Sequence, residues 1–179
     1  NIKIRKQLLN KKKQYYLQNK LILNKILGSA YMIDFNGISI DTRSIKKKNL
    51  FLALKGNNND GNKFISHAFT NGASCVATSS INKKYKKKTI KIKNSNSFLR
   101  QFAKFKREIN PAKIIAITGS AGKTSLKDLI KNILENFGKT YSSPKSFNNH
   151  LGVPLSLSNL NYDDKFGIFE VGMSKAGEI

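Results

Sequence analysis

Apolar and polar positions follow three different rhythms along the chain. Over residues 1–33, Leu8, Leu9, Leu17, Leu21, Ile22 and Ile26 are scattered among lysines and amides, which predicts a basic segment that is helical in places. From 34 to 111, short apolar runs alternate with helically spaced stretches. ISI (38–40), NLFLAL (49–54), CVATS (75–79) and TIKIK (89–93) read as strands, the last two separated by a lysine-rich turn. NKFISHAFTNG reads as a helix that stops at Gly72, a residue at ease in the left-handed region. In SFLRQFAKFKREI, Phe98, Leu99, Phe102, Phe105 and Ile109 recur at mostly helical spacing, and Asn110-Pro111 ends the run and marks a domain boundary.

The rhythm changes again at residue 112. KIIAITG is a continuous apolar run, as expected of a central parallel strand covered on both faces. After a glycine-containing loop, Leu126, Leu129, Ile130, Ile133, Leu134 and Phe137 form a stripe at the 3.6-residue period, predicted to be the inward face of a helix that Gly138 stops. KTYSS and FGIFEVG read as two further strands. The fold class is therefore α/β: a small module over 34–111, then the start of a doubly wound, parallel-sheet nucleotide-binding domain over 112–179. The first residue is not Met and the last follows directly on a strand-like run, so both ends read as cut.

Composition narrows the function classes. No run of about 18 apolar residues is present to span a bilayer, and the polar start does not resemble a secretory signal. The single Cys75 cannot form an internal disulfide and lies in an apolar run, which predicts a buried structural thiol in a reducing compartment. A formal charge of +23, with lysines bunched at 11–13, 46–48 and 83–88 around Tyr85, suits polyanion binding in principle. The lysines, however, are spread over the whole chain without an aromatic stacking pattern or a nucleic-acid module. A solvated lysine-rich surface is the reading preferred here, with no specific nucleic acid expected as partner.

The densest chemistry lies in ITGSAGKTS, residues 117–125. Gly119 and Gly122 allow a tight turn that aims backbone amides at an anion, with Ser120 and Ala121 between them. Lys123 supplies a positive charge for terminal phosphates, and the Thr124 hydroxyl can reach a Mg²⁺ ion. Ser125 continues into a helix whose positive end points at the same place. Two residues between the glycines, not four, make this a short variant of the usual phosphate loop; its setting between strand and helix strengthens the assignment. Glu170, one of ten acidic residues, sits at the carboxyl end of FGIFEVG, where ligands bind in open α/β sheets. A carboxylate there suits Mg²⁺, and a solvated strand-end acid is the alternative.

These stretches resemble the Mur ligase family, most closely its D-alanyl-D-alanine-adding type. ITGSAGKTS is similar to the family's shortened phosphate loop, and SPKSFNNHLGVPLSLSNL to its Asn-Asn-x-x-Gly-Val-Pro-Leu segment. FEVGMSKAGEI resembles its Glu-x-Gly-Met stretch. ISIDTRSIKKKNLFLALKGNNNDGNKFISHAFTNGA is similar to the opening of its substrate domain. The resemblance implies a cytoplasmic, ATP- and Mg²⁺-dependent enzyme, monomeric at full length, that joins D-alanyl-D-alanine to UDP-N-acetylmuramoyl-tripeptide through an acyl phosphate. It implies that Gly119 to Gly122 cradle phosphate, that Lys123 holds it, and that Thr124 and Glu170 hold Mg²⁺. Asn148 and Asn149 would line the site near the γ-phosphate or the substrate carboxylate, or else cap the next helix. Asp41, Thr42 and Arg43 would hold the UDP end.

Asn62 replaces a frequent His of the family, and Lys175-Ala176 a frequent His-Pro; both bear on substrate binding rather than on reaction type. His67 is expected to be structural, and His150, next to the asparagine pair, reads as structural or catalytic. The family's carbamoylated lysine, adenine contacts and third domain are expected beyond Ile179, leaving this stretch alone without complete turnover. Folylpolyglutamate- and cyanophycin-synthetase-like ligases share the short loop, but the Asp41-Thr42-Arg43 and SFNNHLGVPL stretches argue against them.

Overall fold

Runs rich in Ile, Leu, Val and Thr become short parallel strands wherever the connecting chain supplies a helical turn to carry it back. The computed structural model describes residues 16–29, 31–56, 59–80, 83–144 and 147–172. These fall into two compact units, one ending at Phe105 and the other starting at Lys106.

In the first unit the strands are β1 (Ile38–Ser39), β2 (Leu50–Leu52), β3 (Cys75–Thr78) and β4 (Thr89–Lys91). They form one parallel sheet in the order β1-β2-β3-β4. Around it lie helices α1 (16–27), α2 (Ile65–Thr70) and α3 (Ser95–Ile109), the last running on across the division between the units. Alternation along the strands divides the core. Phe51, Ala53 and Val76 pack with Ile65, Ala68 and Ala73, while Leu50, Leu52, Cys75 and Ala77 face the other way and are equally buried. Burial pushes the Cys75 thiol up to about 12, as expected of an inert structural thiol.

Gly72, at φ 100°, ends α2 in the left-handed conformation that its sequence position suggested. The lysine-rich stretch between β3 and β4 is a kinked 3-10 segment, Lys83–Lys88. Of the basic amino-terminal segment, residues 16–29 and 31–33 are described, with a helix at 16–27. Leu8 and Leu9 lie outside the described residues, as do Lys175 and Ala176.

The second unit contains β5 (Lys113–Ile117), α4 (Lys123–Glu135), β6 (Thr140–Ser142), α5 (Gly152–Ser158) and β7 (Phe166–Glu170). Its sheet is parallel in the order β5-β7-β6. Two expectations need correction. Among the described residues β7 is the central strand and β5 an edge, with Ile114 and Ile115 only half-buried; the apolar content of β5 therefore reflects more than its position among these strands. On α4, Leu126, Leu129 and Ile133 are exposed, as is Phe137 just past its end. The turn before α4 aims Thr124 at Glu170 on the end of β7, which buries Lys127 and leaves Ile130 and Leu134 half-buried. At 100° per residue the apolar stripe then lies roughly a third of a turn away.

Candidate functional site

The second sheet delivers its chemistry to one edge. β5 ends at Ile117, and α4 begins at Lys123 after a five-residue turn in which Gly119 takes φ 144° and Gly122 φ 75°. A side chain at either position would be strained. Gly122 offers no side-chain cap to α4, so the first amides of the helix keep their partial positive charge for an anion. Ser120 and Ala121 lie exposed in the turn, and Ser125 lies on the exposed side of the first helical turn. The Lys123 ammonium bends back over the loop and donates to the Gly119 carbonyl at 2.6 Å and the Ser120 carbonyl at 3.5 Å. The Lys123 charge is thus held above the backbone amides of the turn.

Glu170 terminates β7, the strand with neighbours on both sides, and is only 5% exposed. Its backbone N–H donates to Ser143 Oγ. Three side chains converge on its carboxylate. Thr124 Oγ1 donates to Oε2 at 2.9 Å, Asn148 Nδ2 donates to Oε1 at 3.0 Å, and Lys127 Nζ approaches Oε2 at 3.4 Å. Burial pushes this carboxyl up, but the bonds from Asn148, Thr124 and Lys127 together with the lysine charge outweigh it, so the group sits below the usual carboxylate range. Glu170 is thus an ionised, oriented carboxylate at neutral pH, not a solvated strand end.

The two asparagines separate. Asn148 touches Glu170, and its carbonyl accepts the Gly172 N–H at 2.7 Å. Asn149 turns away from the carboxylate; its Oδ1 accepts the N–H groups of Leu151 and Gly152 at 3.1 and 2.8 Å, capping the turn into α5. His150 is exposed beside them. Gly152 is required by crowding: a Cβ there would stand 2.5 Å from the backbone of Phe147.

Lys127 is the residue that sequence reasoning missed. Only 1% of its side chain is exposed, and Nζ also donates to the Ser143 carbonyl at 2.9 Å. Its position was readable: four residues after Lys123 and three after Thr124, it shares their helix face. Assigning the apolar stripe to the interior made it look like surface.

The donor set fits Mg²⁺. A hydroxyl and a carboxylate are hard oxygen donors within bonding distance of each other, and this ion keeps several waters and tolerates few protein ligands. Among the described residues no group of three or more His, Cys, Asp or Glu side chains stands ready to cage a metal, so further ligands would come from phosphate oxygens and water.

In the first unit, Asp41, Thr42 and Arg43 follow β1 at the carboxyl edge of the sheet. Asp41 caps the 3-10 turn Thr42–Ser44 and grips the Arg43 guanidinium through both carboxylate oxygens, at 2.7 to 3.1 Å. The side-chain bond from Arg43 is the main reason the Asp41 carboxyl lies below its ordinary range. Thr42 Oγ1 pairs with His67 Nδ1 at 3.3 Å, and Asn71 donates to the Thr42 carbonyl, so His67 steadies the motif. Asn62, at the departure from the family pattern, accepts from Thr78 and donates to Asp60, fastening the 60–62 turn to the end of β3.

Both units have relatives among known proteins. Residues 34–107 match the family described as "Mur ligase family, catalytic domain", and residues 117–178 match "Mur ligase middle domain". The UDP-N-acetylmuramoyl-tripeptide--D-alanyl-D-alanine ligase of Rickettsia prowazekii is 39% identical over 148 residues, 82% of this chain and 33% of that protein. The enzyme of the same name from Buchnera aphidicola subsp. Acyrthosiphon pisum is 40% identical over 159 residues, 89% of this chain and 34% of that protein. A crystal structure of MurF from Acinetobacter baumannii superposes with a TM-score of 0.73 at 26% identity, over 89% of this chain and 36% of its own. MurF ligase from Thermotoga maritima in complex with ADP superposes with a TM-score of 0.62 at 26% identity, over 80% of this chain and 34% of its own. The chain spans about a third of the length of the curated relatives it matches. It belongs to the Mur ligase family.

Proposed function

We propose that this chain supplies the phosphate-binding part, and a share of the substrate domain, of a cytoplasmic ATP-dependent ligase that joins D-alanyl-D-alanine to UDP-N-acetylmuramoyl-tripeptide. The observation that carries the reading is the convergence of Thr124 and Asn148 on the Glu170 carboxylate beside the Gly119–Gly122 turn. Relatives at 39–40% identity that bear this activity in their names support the choice of substrates.

In this reading the tripeptide's terminal carboxylate attacks the γ-phosphorus of ATP and ADP departs. The amine of D-alanyl-D-alanine then attacks the acyl carbon of the mixed anhydride, an amide bond forms, and inorganic phosphate leaves with the electron pair of the broken C–O bond while the amine's proton passes to the departing phosphate or to water. The protein's part is positioning and charge neutralisation more than covalent chemistry. The amides of 119–122 hold phosphate oxygens, and Lys123 exchanges its loop carbonyls for them. Thr124 and Glu170 would hold Mg²⁺, whose charge would offset that of the transferring group. Asn148 keeps Glu170 turned toward Thr124, while Asn149 shapes the segment that presents Asn148. In the other unit, Asp41 presents Arg43 to the diphosphate of the UDP moiety.

The test uses the full-length protein. ADP release that requires both UDP-N-acetylmuramoyl-tripeptide and D-alanyl-D-alanine is expected, with loss of most turnover in Lys123→Ala. Near-normal turnover in that variant would remove the phosphate-loop assignment, and failure to bind ATP with Mg²⁺ at millimolar concentrations would remove the whole reading.

A further inference from the structure

A lysine that loses water on folding must recover the cost from partners at fixed positions. Lys127 has two: the Ser143 carbonyl at 2.9 Å, and Oε2 of Glu170 at 3.4 Å, the same oxygen that accepts from Thr124. Ser143 in turn accepts the Glu170 N–H at its hydroxyl and donates its own N–H to Ile168. One ammonium therefore ties α4 to the chain just after β6 and to the end of β7. An apolar side chain could have filled the same space, so packing alone does not call for a cation here.

The charge has a consequence for metal binding. Among the described residues Glu170 is the acidic group of this cluster, and Lys127 opposes it from inside while Lys123 stands over the loop outside. Before nucleotide arrives, the three side chains sum to one positive charge, which disfavours a free divalent cation. A triphosphate reverses that balance and brings oxygens that complete a coordination shell. Resting on the phosphate-site reading above, we infer that Lys127 is a positioning residue that pins Oε2 of Glu170 and neutralises it, so that a divalent cation binds only together with the nucleotide and not before it.

The test measures Mn²⁺ binding to the nucleotide-free, full-length protein by electron paramagnetic resonance, for the parent, Lys127→Met and Lys127→Gln. Gln is included because its amide can still donate to the Ser143 carbonyl if Met proves too disruptive. Folding of each variant is checked by circular dichroism. Removal of the charge is expected to tighten Mn²⁺ binding without nucleotide at least about tenfold, and Glu170→Gln added to either variant is expected to abolish the gain. Unchanged Mn²⁺ affinity in a folded variant overturns the inference. So does unfolding of both variants, which would make Lys127 a strut of the fold. Because no nucleotide or muramoyl substrate enters this measurement, its failure is separable from failure of the functional reading, which the parent's binding of ATP with Mg²⁺ decides.

Discussion

The Thr124 hydroxyl donates to Oε2 of Glu170 at 2.9 Å across 46 residues of sequence, joining the first turn of α4 to the end of the central strand. One residue belongs to the phosphate loop and the other to a strand that pairs with both its neighbours, so loop placement is referenced to the most constrained part of the sheet. Thr124→Val keeps the shape but removes the donor to Glu170 and the oxygen proposed to face Mg²⁺. In the full-length protein, on the proposed function, kcat is expected to fall about 100-fold, whereas Thr124→Ser retains most of it. Steady-state ADP release at saturating Mg²⁺ checks both. Equal losses in the two variants would point to packing of the methyl group instead.

Asn148 and Asn149 are adjacent and chemically alike, yet their side chains do different things. Asn149→Ala removes a cap from the turn into α5 and is expected to cost about 1 kcal/mol of stability, with turnover changed only a few-fold at a temperature where the protein stays folded. Asn148→Ala frees Oε1 of Glu170 and is expected to leave the melting temperature nearly unchanged while lowering kcat about tenfold or more. Calorimetry and turnover measured on both variants decide. The reversed pattern would exchange their roles.

Much of this site was legible because it depends on local chemistry. A strand that ends in a glycine turn and reopens as a helix predicts Gly119, Gly122, Lys123 and Thr124 without tertiary knowledge, and a carboxylate closing an apolar strand marks Glu170. What stayed hidden depends on contacts between distant segments. The orientation of α4 is set by where the loop points its first turn, so the apolar residues around Leu129 and Ile133 suggested the wrong inward face and hid Lys127. Strand order is likewise non-local: the apolar run of β5 predicted a central position, but among the described residues β7 holds it. The division of labour between Asn148 and Asn149 turns on backbone direction within a single turn, which residue type cannot reveal.

Lys106 is fully buried, and burial holds its ammonium down to about 7, with partial relief from the Asp164 charge. Its ordinary value is 10.5, so between these limits the unfolded chain binds more protons than the folded one. Stability from this group therefore rises as pH increases from about 7 toward 10, and the cost of charging it is present in full below that window. Lys106→Met is expected to raise stability at neutral pH by about 1–2 kcal/mol and to flatten the rise between pH 7 and 10. Melting temperatures across that range test it. A steeper rise in the variant would contradict the assignment.

Gly152 opens α5 directly after the segment that carries Asn148, and here close approach demands the absence of a side chain. A Cβ would lie 2.5 Å from both the Cα and the carbonyl carbon of Phe147 and 2.9 Å from its carbonyl oxygen. All three are backbone atoms, so no rotamer change relieves the contact. The same segment is held on its other side by the Gly172 N–H on the Asn148 carbonyl. Gly152→Ala is therefore expected to destabilise the second unit by about 1–3 kcal/mol and to displace Asn148 from Glu170. Two readouts separate the effects: denaturant unfolding reports the loss of stability, and turnover below the transition reports the misplaced amide. A variant with unchanged stability and full activity would show that the Phe147 turn yields easily, and the route from α5 to Glu170 would then be looser than these distances imply.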